Sequence, residues 1–250
     1  VGATACSGDA TQAICLVSGM DYSIPSDITL IDRNSDGLID RLYAADTGGN
    51  IWRVDLEPAT NHITPQYWQI NKLAALGCAT GVCTPLPAVS VATTPRKFFF
   101  PPDLVPAGGY DIVLAGSGDR EHPLLSSPAN GVTNRFYAIS DPSTGNDGSG
   151  QATITEATLF DATSNTFDGT ANGLTVSVPE VPVDGFYITL ATGEKVVGAP
   201  ATIAGQTFFG TNQPKAPGVN SCDTNLGIAR GYRISPFSAS GTFSEFEAGG

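Results

Sequence analysis

Apolar residues fall in short runs: 28–31, 42–45, 51–56, 97–100, 112–115, 135–139, 187–190, 207–210 and 232–234. Clusters of Gly, Asn, Asp and Pro separate these runs. Helical periodicity is nearly absent, and its best candidate, 67–76, is hemmed in by Pro and Gly. Short apolar runs between turn-forming residues predict a meander of antiparallel strands, an all-β chain.

A degenerate repeat runs through the pattern. Residues 42–56 read LYAADTGGNIWRVDL, a strand, a small-residue turn and an aromatic-bearing strand. IVLAGSGDREHPL (112–124) followed by NRFYAISD (134–141) repeats the form, as does TFFGTNQ (207–213) followed by ARGYRISP (229–236). Repeated hairpins of this kind are how propeller blades look in sequence. Their spacing of roughly 70 to 95 residues exceeds the usual 40 to 50, so the blades are expected to carry insertions. Three or four blades do not close a ring. The expectation is one β-propeller region over 1–250, an incomplete portion of a larger ring. Segments 140–150 and 212–220 have the composition of exposed loops.

Composition narrows the function classes. Of 250 residues 41% are hydrophobic and 14% charged, and 29 Gly and 18 Pro suit many tight turns. The formal net charge of −12 repels phosphate backbones, so nucleic acid is not an expected partner. No apolar stretch approaches the length of a membrane span, and the N-terminus lacks the basic and apolar regions of a signal peptide. Low Lys with abundant Asp, Asn, Ser and Thr suits an extracytoplasmic protein. Cys78 with Cys83, in GCATGVC, and Cys6 with Cys15 are spaced to close short disulfide loops, which leaves Cys222 over.

The clearest chemistry lies at residues 32–40, Asp-Arg-Asn-Ser-Asp-Gly-Leu-Ile-Asp. A hard cation needs six to eight oxygens at short range. Asp32, Asn34 and Asp36 alternate so that their side-chain oxygens converge, and Gly37 suits the turn that folds the loop back. Leu38 would add its backbone carbonyl and Asp40 would close the site. Three carboxylates favour Ca2+ over softer metals. The loop is not an EF-hand, because position twelve is Tyr43 and the flanks read as strands. The alternative without an ion is a hairpin turn rich in Asp, Asn and Gly.

DRNSDGLIDRLYAADTGGNIWRVDL (32–56) resembles the C-terminal domain of PilY-type pilus-tip proteins of bacterial type IV pili. RKFFFPPDLVPAGGYDIVLAGSGDREHPL (96–124), GFYITLATGEKVVGAPATIAGQTFFGTNQP (185–214) and CDTNLGIARGYRISPFSASG (222–241) extend the resemblance in the same order. The resemblance implies a modified, quinoprotein-like β-propeller at the pilus tip or outer cell surface, with 1–25 a poorly matched leading segment. It implies a calcium site at Asp32, Asn34, Asp36, Leu38 and Asp40, and a role in pilus biogenesis, extension and retraction, twitching motility and adhesion. The partners it implies are minor pilins and, through the parent protein, a host or abiotic surface. The family's large N-terminal region, its opening blades and its closing strand have no counterpart here.

Other motifs weigh less. AADTGGNIW (44–52) is similar to the tryptophan-docking pattern of quinoprotein dehydrogenases, yet the adjacent cysteine pair of many such enzymes is absent, and Trp52 is expected to lock one blade against the next. Asp119-Arg120-Glu121-His122 is read as tying down a loop, because no helix start follows GSG and no Gly-x-Ser-x-Gly elbow exists. Glu194, Lys195, Arg230 and Arg233 are read as solvated or loop-pinning, and His62 as a surface residue. No nucleophilic site assembles, so the chain is not expected to be an enzyme.

Overall fold

The computed structural model describes residues 4–5, 7–9, 12–14, 17–56, 68–78, 95–107, 109–123, 131–142, 152–163, 184–215 and 227–247. Strands β1 (Thr4–Ala5), β2 (Ser7–Asp9) and β3 (Gln12–Ile14) come first, followed by the meander β4 (Thr29–Ile31), β5 (Arg41–Ala45), β6 (Asn50–Asp55) and β7 (Gln69–Ala75). A second group holds β8 (Asp103–Pro106), β9 (Asp111–Gly116), β10 (Arg135–Asp141), β11 (Ile154–Thr155), β12 (Phe160–Asp161) and β13 (Gly185–Thr189). The third comprises β14 (Lys195–Val196), β15 (Ala201–Ile203), β16 (Gln206–Gln213), β17 (Ile228–Ile234) and β18 (Gly241–Glu247).

Most of these strands fall into three mainly antiparallel sheets, while β2 and β3 pair only with each other. The orders are β1-β7-β6-β5-β4 with β11 beside β7, then β12-β13-β10-β9-β8, then β14-β16-β17-β18 with β15 beside β16. The three predicted hairpins pair as expected: β5 with β6, β9 with β10, and β16 with β17.

The sheets stack face to face with the β9–β10 sheet in the middle. Its side chains alternate: Val113, Ala115, Tyr137 and Ile139 join a core with Tyr43, Ile51 and Leu73 of the first sheet. Ile112, Leu114, Phe136 and Ala138 join a second core with Phe209, Tyr232 and Ile234 of the third. A strand buried on both faces has no reason to alternate in polarity, which is why 112–115 is uniformly apolar. Among the described residues the three sheets form an open run of blades rather than a ring.

Three expectations need correction. Residues 69–75 form strand β7 rather than a helix, because Asn71 and Lys72 sit among residues that alternate against β6. Residues 97–100 form no strand, though Phe98 is buried in the first core, its N–H donating to Asp46 O at 3.2 Å. The segment predicted as loop at 212–220 begins inside β16, which runs to Gln213.

Candidate functional site: the loop between β4 and β5

Residues 32–40 connect two strands that pair Ile31 with Arg41, as the flanking apolar runs required. The loop closes on its own amides. Asp36 N–H donates to Asn34 Oδ1 at 2.8 Å and to Asp32 Oδ1 at 3.2 Å, and Gly37 N–H donates to Asp32 Oδ2 at 2.8 Å. Leu38 N–H donates to Asp36 Oδ1 at 2.8 Å, and Asn34 Nδ2 to Asp36 Oδ2 at 3.2 Å. Ser35 and Gly37 take the left-handed backbone, φ 61° and 91°, that bends the chain inward.

Asp40 braces the loop from below. Its carboxylate accepts from Arg33 N–H and from Asn34 N–H at 3.2 Å, while its own N–H donates to Ile31 O at 2.8 Å and its carbonyl accepts from Leu56 N–H at 2.8 Å. It is buried, whereas 34–39 are exposed. The structure thus brings Asp32, Asn34 and Asp36 together, puts Asp40 beneath them and leaves the Leu38 side chain in solvent.

The donor set suits a hard divalent cation. Three carboxylates and the Asn34 side-chain oxygen are the oxygen donors that the loop offers, and Gly37 has open space where a Cβ would stand. The carboxylates of Asp32, Asp36 and Asp40 do not meet at one point here. Among the described residues the trio whose ligand atoms lie within 4.8 Å of one another is Asp119, Glu121 and His122. That trio already surrounds a cation: Lys97 Nζ lies 3.0 Å from Asp119 and 3.1 Å from Glu121, and His122 Nδ1 is 2.9 Å from Asp119. These pairs tie the turn after β9 to the segment before β8.

Beneath the loop lies a buried charge network that the sequence reading passed over. Asp111 accepts from Arg33 and from Arg41 Nη1 at 3.3 Å. Arg41 Nε also reaches Asp55 at 3.1 Å, and Arg53 pairs with Asp55 at 2.6 Å and with Asp141 at 2.8 Å. Tyr43 Oη closes the circuit, donating to Asp141 at 2.8 Å and lying 3.5 Å from Asp111. Burial pushes the Asp111 carboxyl up, against the pull of Arg33 and Arg41. Burial and then Asp141 push the Tyr43 hydroxyl far up, so it stays a donor. The available signal was charge inside apolar strands: Arg53 and Asp55 interrupt the run at 51–56, and Arg41 stands directly before the run at 42–45.

The other singled-out residues also have places. Trp52 is buried and its Nε1–H donates to Asp46 Oδ2 at 2.8 Å, with Lys72 Nζ 4.7 Å from the ring centroid, so these partners lie within its own sheet. Glu194 and Lys195 are buried rather than solvated. Glu194 accepts from Tyr232 Oη at 2.8 Å and Ala191 N–H at 2.9 Å, with Arg230 at 3.3 Å, and Lys195 Nζ donates to His122 O at 2.8 Å. Cys78 is disulfide-bonded. Cys6, Cys15, Cys83, Cys222 and His62 lie outside the described residues.

No family model matches the chain. Over 212 residues it is 26% identical to the type IV pilus biogenesis factor PilY1 homolog of Xylella fastidiosa, which covers 79% of this chain. The crystal structure of the Pseudomonas aeruginosa PilY1 C-terminal domain superposes on 92% of the chain with a TM-score of 0.60 at 19% identity. The chain is similar to a PilY-type C-terminal domain. The two matches agree on this and support reading it as a fragment of such a domain. The solved structure speaks for the fold, an all-β, propeller-like arrangement here seen as an open run of blades. The chain spans 13% of the length of the Xylella relative and 50% of the solved chain. Among the described residues no helix is long and apolar enough to cross a membrane.

Proposed function

We propose that this chain is the calcium-binding propeller portion of a type IV pilus-tip protein, outside the cytoplasm, and that it supports pilus biogenesis, the balance of extension and retraction, twitching motility and surface adhesion through its parent protein. The observation that carries the calcium part is the loop at 32–40, where side-chain oxygens of Asp32, Asn34 and Asp36 already bracket the amides of 36–38 and Asp40 braces the loop from beneath. The similarity to a pilus biogenesis factor supports the remainder.

In this reading Asp32, Asn34, Asp36 and Asp40 would hold the ion with the Leu38 carbonyl, and the ion would supply charge that offsets three neighbouring carboxylates. The protein's own part is to keep Asp40 buried and the loop bent. The partners are minor pilins and a host or abiotic surface, and the chain is not an enzyme. Trp52 spends its indole N–H on Asp46 in its own turn, which favours this reading over a quinone-docking one.

The test is isothermal titration of chelator-stripped protein with Ca2+, beside Asp36→Ala. One site in the micromolar to millimolar range that the substitution removes supports the proposal. Absence of binding by the unaltered protein reduces the loop to a turn. Saturation at every external calcium level would make the ion a staple rather than a sensor.

A further inference from the structure

Arg33 belongs to two structures at once. Its backbone N–H donates to Asp40 Oδ2 inside the β4–β5 loop, while its guanidinium pairs with Asp111, the first residue of β9 in the next sheet. A second residue of a surface loop ordinarily points to water. Here the Arg33 side chain is only 19% exposed, and the Asp111 carboxylate is fully buried.

Asp111 is not a passive acceptor. It belongs to the network of three arginines and three aspartates, Arg33, Arg41, Arg53, Asp55, Asp111 and Asp141, joined through Tyr43 across the seam between the first and second sheets. The charges balance only while Arg33 is in place. Buried carboxylates that lose a partner are destabilised strongly, because no water replaces it. The loop at 32–40 therefore has a charged tether to the neighbouring blade.

Resting on the calcium reading above, we propose that the Arg33–Asp111 pair couples ion binding in the loop to the seam between the β5–β6 and β9–β10 sheets. The pair holds the Arg33 peptide over Asp40, so the loop is bent before the ion arrives. A loop bent in advance spends less of the binding free energy on ordering, and affinity rises. Coupling is reciprocal: whatever the pair adds to calcium affinity, calcium returns as stability of the pair, and with it of the seam. The ion is thereby read one blade away, by residues that never touch it. Arg33 acts as a positioning residue.

The experiment is Ca2+ titration of the full chain and of Arg33→Gln, Asp111→Asn and the double variant, each checked for folding by circular dichroism. Amide hydrogen exchange of 112–114 with and without Ca2+ gives a second readout on unaltered protein. The expected result is a loss of affinity of about five- to tenfold in each single variant, no further loss in the double, and slower exchange in β9 with Ca2+ that Arg33→Gln abolishes. Unaltered affinity in Arg33→Gln, or exchange in β9 indifferent to Ca2+, overturns the coupling while the calcium site stands. No binding by the unaltered chain overturns both. If Asp111→Asn does not fold, Arg33→Gln and the exchange measurement still decide the matter, since Arg33 is partly exposed and Arg41 and Tyr43 remain on Asp111.

Discussion

Phe136 on β10 and Phe209 on β16 stack with ring centroids 3.8 Å apart and planes 4° from parallel. They come from different sheets, so the pair is a direct measure of how the second and third blades seat. Tyr232 continues the stack 4.6 Å beyond Phe209. Both phenylalanines are buried. Phe209→Ala should therefore cost about 3–5 kcal/mol through lost burial and the cavity left behind. Urea unfolding monitored by circular dichroism will show it as a lower midpoint.

Asp46 organises the turn between β5 and β6. Its carboxylate accepts from Gly48 N–H at 2.8 Å, Asn50 N–H at 2.9 Å and Trp52 Nε1–H at 2.8 Å, all buried. Asp46→Ala leaves these donors without an acceptor, and a lost charge-assisted bond in the interior is worth about 1.5–3 kcal/mol. A fall of at least that size is expected in thermal unfolding. In a Trp68→Phe background, the fluorescence of Trp52 should also shift.

The same turn excludes any side chain at position 49. Gly49 has φ 79°, and a Cβ there would stand 2.3 Å from the Gly77 Cα and 2.6 Å from the Arg96 carbonyl oxygen. Backbone cannot move aside as a side-chain tip can. Gly49→Ala should lose the cooperative unfolding transition, while Gly37→Ala, with open space but a left-handed backbone, should cost only about 1 kcal/mol.

Arg53 sits between two buried carboxylates, Asp55 and Asp141. Arg53→Met leaves both in the interior with one partner fewer, and a broken buried pair typically costs about 3–5 kcal/mol. Denaturant titration at neutral pH tests this, and a change below 1 kcal/mol would mean water reaches the seam.

Asp119 gives a pH signature. Burial raises its carboxyl, but hydrogen bonds from Lys97 and His122 outweigh burial and hold it below its ordinary value. The unfolded chain thus takes up this proton before the folded one does. The stability that ionised Asp119 contributes is complete above the ordinary value of about 4 and is lost as pH falls through the lower folded one. Asp119→Asn should lower the melting temperature at about pH 6 and flatten the loss of stability below about pH 4.

Much of the fold was legible because its signals are local. Turn residues at 46–49 between apolar runs were enough to predict the hairpin of β5 and β6, and the repeat of that form at 112–141 and 207–236 predicted those of β9 with β10 and β16 with β17. The candidate at 67–76 carried a helical spacing at Ile70, Leu73 and Ala74, and only pairing with β6 makes the segment a strand. Phe98 misled in the opposite sense, since an apolar run can reach the core without joining a ladder. In the candidate site, Asp32, Asn34 and Asp36 were readable from alternation alone. That Asp40 is buried under them was not.

By itself the sequence determined the strand-and-turn grammar, the bend at Gly37 and the types of oxygen offered at 32–40, because each depends on neighbours a few residues away. Tertiary structure alone decided that Arg33 reaches Asp111, that Lys97 stands among Asp119 and Glu121, and that Glu194 and Lys195 are interior. Arg33 and Asp111 are 78 residues apart, Lys97 is 22 and 24 residues from Asp119 and Glu121, Glu194 is 36 and 38 from Arg230 and Tyr232, and charge has no periodicity to announce a pairing at such range. Burial converts a polar residue from a solvated ornament into a group that must be matched, and only the packing of one sheet on the next says which residues are buried.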